Sequence, residues 1–196
     1  MVSAGGASRI NKQMNNYPID ILGNYGMNEA VWENGELKMI REAVYAVDKE
    51  FFSTQIEYLR NKYGYTEYKG DSVEFHASGM VTFPLLGTKA DINDKVKFDP
   101  TREKRKVLYP EVCEIFKDYT VYIGGSSSFD FSKKEYNKYD AVMKYANEHG
   151  YSKDEILYIG DDFGDGGGDS HIRIYGLDYV NVTDYTKLED YLKYLF

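Results

Sequence analysis

Two rhythms of apolar residues run along this chain. Helical spacing is clearest after Asp48, where Phe52, Ile56, Leu59 and Tyr63 line one face and Gly64 follows. It predicts a helix from Asp48 to Tyr63, opened by an acid and stopped by glycine. Similar spacing predicts helices over Asn137–His149, ended by Gly150, and over 8–15, with Ser8 as cap. Residues 101–116 carry Val107, Leu108, Val112, Ile115 and Phe116 at helical intervals, but Pro110 should kink or split that helix. A short helix is expected to end at Ile174-Tyr175. A last one, capped by Thr183, carries Leu188, Leu192 and Leu195.

The second rhythm is that of strands. Short runs at 19–22, 72–77, 80–83, 120–123, 127–131, 156–159 and 179–182 predict extended segments. Val2-Ser3 reads as the end of another. Residues 30–33 and 36–39 flank Asn34-Gly35, a strong hairpin signal. Ser152 and Glu155 have capping-box spacing, but a strand follows so closely that only a turn is expected there. Helix and strand alternate at both ends, as in a parallel α/β sheet, whereas the middle is richer in neighbouring strands. The expected fold is α/β: a parallel-sheet core from 1–40 and 127–196, with an inserted α+β unit over 41–126.

With 196 residues the chain can bury a core. Its net charge of −8 argues against a nucleic-acid or anionic-membrane surface, though not against an anionic substrate held at a local site. The lone Cys113 excludes an intrachain disulfide and fits a reducing compartment. No apolar run is long enough for a transmembrane helix and no signal pattern opens the chain, so the cytoplasm is the expected location. Twenty scattered tyrosines lack the basic stripe of a nucleobase-stacking platform.

The densest chemistry lies in Gly160–Asp169, where four carboxylates and five glycines follow Ile156–Ile159. A strand ending in Gly-Asp places the acid at the carboxyl edge of a sheet, where open α/β sheets bind ligands. Clustered carboxylates repel one another unless a cation or solvent lies among them, and magnesium takes oxygen ligands of this kind. The same residues also fit a solvated acidic turn. An EF-hand fits poorly, because Phe163 and Ile172 fall where oxygen ligands are needed.

Several segments, taken in order, resemble motifs of the haloacid-dehalogenase (HAD) superfamily, in its subgroup with a large α/β cap and near eukaryotic-type phosphomannomutases. Val2-Ser3-Ala4-Gly5-Gly6 resembles the second motif. Glu74-Phe75-His76 through Gly79-Met80 to Pro84–Gly87 resembles the cap's substrate-facing strands. Gly124–Asp130 resembles the return from cap to core, Asn137-Lys138-Tyr139 the third-motif lysine, and Gly160-Asp161 with Gly166–Asp169 the metal-binding fourth motif.

The resemblance implies a Rossmannoid core and magnesium-dependent phosphoryl transfer on a small phosphorylated sugar. Ser3 would donate to the transferring phosphoryl group, and Lys138 would neutralise its charge. Asp161 and Asp169, with Asp165 as helper, would hold Mg2+. His76, Lys95, Ser128 and Asp130 would bind substrate. Each has a plainer reading: a turn cap for Ser3, a solvated helix lysine for Lys138, an idle strand histidine for His76.

Two departures matter. The family's nucleophile lies in an Asp-x-Asp motif upstream of the second motif, and no two aspartates in this chain are separated by one residue. The resemblance therefore implies an amino-terminally shortened, inactive polypeptide with its first core strand missing, weak magnesium binding, and a sheet edge open to a second copy. Moreover, the arginines that hold a sugar's distal phosphate in the mutases are matched by His76, Thr88 and Lys95. A phosphatase, which needs one phosphate site, is thus favoured over a phosphomannomutase. A non-catalytic binding or interaction module is the remaining alternative.

Overall fold

A computed structural model describes residues 1–193. The chain runs through α1 (Ala7–Gln13), β1 (Ile21–Gly23), β2 (Asn28–Glu33), β3 (Glu36–Glu42), α2 (Lys49–Tyr63), β4 (Glu74–Phe75), β5 (Val81–Pro84), α3 (Ile92–Phe98) and α4 (Glu103–Ile115). It continues through β6 (Tyr119–Tyr122), β7 (Ser128–Lys133), α5 (Lys138–Glu148), β8 (Tyr158–Gly160), α6 (Ser170–Ile174), β9 (Tyr179–Asn181) and α7 (Leu188–Leu192). No helix among the described residues is long and apolar enough to cross a membrane. Leu195 lies outside the described residues.

The middle of the chain is a four-stranded antiparallel sheet in the order β4-β5-β7-β6. Its two faces follow from the period-two alternation. Val81, Phe83, Val121, Phe129 and Phe131 are buried against Phe52, Ile56 and Leu59 of α2 and Leu108 and Val112 of α4. The paired residues Glu74, Thr82, Asp130 and Tyr122 form a row on the opposite face. β7 therefore belongs to the cap sheet, not to the core that was expected to resume at residue 127. A strand joins the sheet that satisfies its backbone, and both neighbours of β7 are cap strands.

The core is less parallel than expected. β1, β2 and β3 form an antiparallel sheet, with Asn34-Gly35 turning the hairpin at φ of 53° and 86°. Among the described residues, parallel pairing is confined to β8–β9 and a bridge between Val2 and Leu22. Tyr158 N–H donates to Asp178 O, and Val182 N–H donates to Gly160 O. Alternation along the ladder then turns the Ile159 amide and carbonyl away from β9. On the other piece, Ser3 N–H donates to Leu22 O and Leu22 N–H to Met1 O, so Val2 presents its backbone outward as well. Val2 packs into the cluster of Tyr158, Phe163, Ile172 and Leu177, yet the two ladders share no strand pairing.

Local corrections have local causes. α2 is as expected, with Asp48 accepting from Phe51 N–H and Gly64 at φ 76°. α1 begins after Gly6 with no side-chain cap, so Ser8 lies inside it. α4 runs unbroken through Pro110, held by Leu108 and Val112, which are buried, while Pro110 faces solvent. Ser152 and Glu155 form a complete capping box on a 3-10 turn. At the last helix Asp184, not Thr183, caps the turn that leads in, by accepting from Thr186 N–H; Thr183 bonds the Tyr191 hydroxyl instead.

Candidate active site

A cavity of about 850 Å³ lies between the polar face of the cap sheet and the Ser3–Arg9 segment of the core. Ser3, Gly5, Gly6, Arg9 and Asn24 line the core side. Glu74, His76, Thr82, Lys95, Ser128 and Asp130 line the cap side. The structure thus brings Ser3 together with all four residues expected to bind substrate.

The core wall is set by hydrogen bonds that bend the chain around Ser3. Ser3 Oγ accepts from Gly5 N–H at 3.1 Å. Its own hydroxyl proton remains available, so the turn role and a donor role are compatible. Asn24 N–H donates to Gly5 O and Tyr25 N–H donates to Ser3 O, both at 3.0 Å. These bonds require Asn24, Tyr25 and Gly26 at φ of 49°, 56° and 94°. A Cβ on Gly26 would lie 2.6 Å from the Ala141 methyl, so only glycine fits against α5.

Tyr25 is 2% exposed and stacks on Tyr122 with ring centroids 4.1 Å apart. Burial pushes its hydroxyl well above the ordinary tyrosine range, and the nearby Asp130, Asp162 and Asp169 add to the shift. Sequence reasoning passed it over; the Asn-x-Gly turn was its one signal.

The cap wall is braced from behind. Arg105, 1% exposed, pairs with Asp99 at 2.9 Å and donates to the carbonyls of Gly124, Gly125 and Ser128. His76 Nε2 lies 3.0 Å from Thr82 Oγ1, which donates to Asp130 Oδ1 at 2.8 Å. Burial raises the Asp130 carboxyl, opposed by the Thr82 bond and by His76. Lys95 Nζ donates to Thr88 O at 3.1 Å. Ser128 Oγ donates to Gly124 O.

The acidic loop does not assemble the expected metal site. Asp169 is buried and its oxygens are taken: Oδ1 by Lys138 Nζ at 2.7 Å and the Tyr158 hydroxyl at 2.6 Å, Oδ2 by the amides of Asp161 and Asp162. Burial acts to raise this carboxyl, but Lys138 and the hydrogen bonds outweigh it and hold it below the usual range. Asp165 is exposed and pairs with Arg173 at 2.8 Å, so it faces away as a ligand. Asp162 is held by Arg102 at 2.5 Å and by Gly168 N–H. Asp161 keeps an exposed, unengaged carboxylate. Among the described residues no three His, Cys, Asp or Glu side chains are grouped to hold a metal ion. The charge repulsion expected to need a cation is relieved instead by Lys138, Arg102 and Arg173. Arg102, which carries a left-handed φ of 63°, left no mark in the local pattern.

The sequence profile of haloacid dehalogenase-like hydrolases matches residues 22–166. The chain belongs to this family. Enzymes of the family generally use Mg2+. Similar solved structures agree in fold. The N-terminally truncated IMP-nucleotidase of Plasmodium falciparum superposes with a TM-score of 0.69 at 14% identity, covering 98% of this chain and 59% of that one. Its IMP-bound mutant gives 0.62 at 15%, covering 96% and 55%. A haloacid dehalogenase-like hydrolase of Bacillus subtilis gives 0.57 at 10%, covering 100% and 86%. The chain thus spans under three-fifths of the IMP-nucleotidase. Among curated proteins no relative matches. A likeness to the phosphomannomutases in particular has no support in these matches; the HAD family does.

Proposed function

We propose that this chain carries the substrate-binding and charge-stabilising half of a HAD-type phosphohydrolase for a small phosphorylated sugar, acting in the cytoplasm. The observation that supports it is the shared cavity: Ser3 on one wall, His76, Lys95, Ser128 and Asp130 on the other. The phosphoryl group sits at the Ser3 turn, where the hydroxyl donates to a phosphoryl oxygen. The sugar lies against the cap sheet. Lys138 holds Asp169 and thereby the shape of the loop beside it.

The residues present do not complete a magnesium site. An ion there needs oxygen ligands beyond Asp161, and the nucleophile has no counterpart in the chain. By itself the chain is expected to bind without turnover, since the Asp-x-Asp pair that would form a phospho-enzyme has no match in the sequence. A phosphatase is favoured over a mutase, because among the described residues Lys95 and Arg9 are the only fixed cations on the cavity lining.

The test joins a strand and helix bearing Asp-x-Asp ahead of Met1. Magnesium-dependent phosphate release from hexose phosphates should appear, and fall sharply in Asp161→Ala and Lys138→Ala. Turnover by the unextended chain, abolished in Asp161→Ala, would mean that an unidentified nucleophile acts. An extended chain that binds hexose phosphates but never releases phosphate favours the second reading, a binding module. That reading draws on the saturated shell of Asp169.

A further inference from the structure

The cap wall of the cavity contains a directed hydrogen-bond chain. Thr82 has one hydroxyl proton, and Asp130 Oδ1 accepts it at 2.8 Å. The contact at 3.0 Å between His76 Nε2 and Thr82 Oγ1 must therefore be donated by the histidine. This places the proton of the neutral ring on Nε2 and leaves Nδ1 as a lone-pair acceptor. No group among the described residues bonds Nδ1, and His76 is exposed to the cavity. The chain is held at both ends. His76 N–H donates to Met80 O within the β4–β5 turn. Asp130 packs so tightly on Gly124 that a Cβ there would lie 2.0 Å from Oδ2.

We propose that Asp130, Thr82 and His76 act as a unit that fixes the His76 tautomer and makes the cap wall a reader of substrate hydroxyl groups. The wall offers acceptors: His76 Nδ1, the free Asp130 Oδ2 and the Glu74 carboxylate in the same cross-strand row. Sugar hydroxyls supply donors to match. A second phosphate supplies acceptors and negative charge, which these three acceptors disfavour and only Lys95, among the described residues of that wall, offsets. Thr82 is a positioning residue, acting through His76. The inference rests on the reading of the cavity as a sugar-phosphate site.

Nitrogen-15 spectra of the imidazoles read the first claim without any ligand, with the His76 signal assigned by its loss in His76→Gln. At a pH where the ring is neutral, wild type should show the Nε2–H form, and Thr82→Val a mixture of tautomers. A wild-type ring protonated on Nδ1, or unchanged in Thr82→Val, overturns the proposal. Binding reads the second claim by calorimetry. Thr82→Val should weaken glucose 6-phosphate at least tenfold and leave inorganic phosphate unchanged, and Thr82→Ser should restore affinity. Glucose 1,6-bisphosphate should bind no more tightly than the monophosphate.

Equal loss of both ligands in Thr82→Val, unchanged glucose 6-phosphate, or a bisphosphate bound tenfold tighter overturns the hydroxyl reading alone. Wild type that binds neither glucose 6-phosphate nor inorganic phosphate overturns the sugar-phosphate site itself, and the hydroxyl reader with it.

Discussion

Asp169 concentrates the loop's electrostatics in one residue. The carboxylate is 1% exposed, and among the described residues Lys138 is its only charged partner, at 2.7 Å. Its folded pKa lies below the ordinary value of 3.8, so its ionised form is favoured by folding. The stability it contributes is present above that ordinary value and is lost as pH falls through the lower, folded one. Lys138→Met leaves a buried charge unpaired and should cost about 3 kcal/mol at neutral pH. Urea titration would measure this, and the acid limb of the stability curve below about pH 4 should change shape in the variant. Equal stability from pH 7 down to 3 in both proteins would contradict the pairing. Sequence motifs singled out Lys138 and Asp169 separately. That they would saturate each other was not legible, because a side chain's hydrogen-bond shell depends on Tyr158 and on loop amides that no spacing rule locates. For the same reason, calorimetry with Mg2+ should show millimolar affinity or none, about 4 kcal/mol at most. Micromolar binding lost in Asp161→Ala would show that the loop rearranges around the ion.

Among the helices, a fully buried face made α2 legible, whereas α3, with no buried residue, went unread. α2 buries Phe52, Ile56 and Leu59 fully and was read to within a residue. α3 buries no residue, and its Ile92 and Val96 are 65% and 56% exposed, so no periodic stripe announced it. β7 has strand pattern, and its sequence places it; its membership of the cap sheet is tertiary, decided by pairing with β5 and β6. Pro110 was given too much weight. Its missing amide withdraws one donor on the exposed face of the helix, where solvent can satisfy the freed carbonyl, while Leu108 and Val112 anchor both halves of α4. Pro110→Ala should therefore stabilise the chain by about 1–2 kcal/mol, less than a buried interior proline would cost, with unchanged helix content by circular dichroism. A loss of stability would mean that the proline ring itself is needed to seat Leu108.

At the scale of the molecule, the period-two pattern of the cap strands divides labour between two faces. One closes the cap's own core; the other presents Glu74, Thr82 and Asp130 to the cavity. The core has no such closure. Val2 and β8 share a hydrophobic cluster, yet Val2 turns its backbone groups away from β1 and Ile159 turns its own away from β9, with no ladder between them. Leu157 and Ile159 are 41% and 42% exposed beside that position. Unpaired strand groups next to apolar side chains are a template for another strand. We propose that a strand from elsewhere can fill it, either a second copy of this chain or an Asp-x-Asp strand joined ahead of Met1. Hydrogen exchange gives the residue-level test. The Ile159 amide should exchange with little protection at micromolar dilution, slow when the protein is concentrated, and slow by orders of magnitude at any concentration once the Asp-x-Asp strand is joined ahead of Met1. Light scattering should follow the same course, showing a dimer at high concentration for the chain alone and a monomer for the extended one. Strong protection of Ile159 in a dilute monomer would mean that the two ladders close on each other, and no strand position would then remain for the nucleophile.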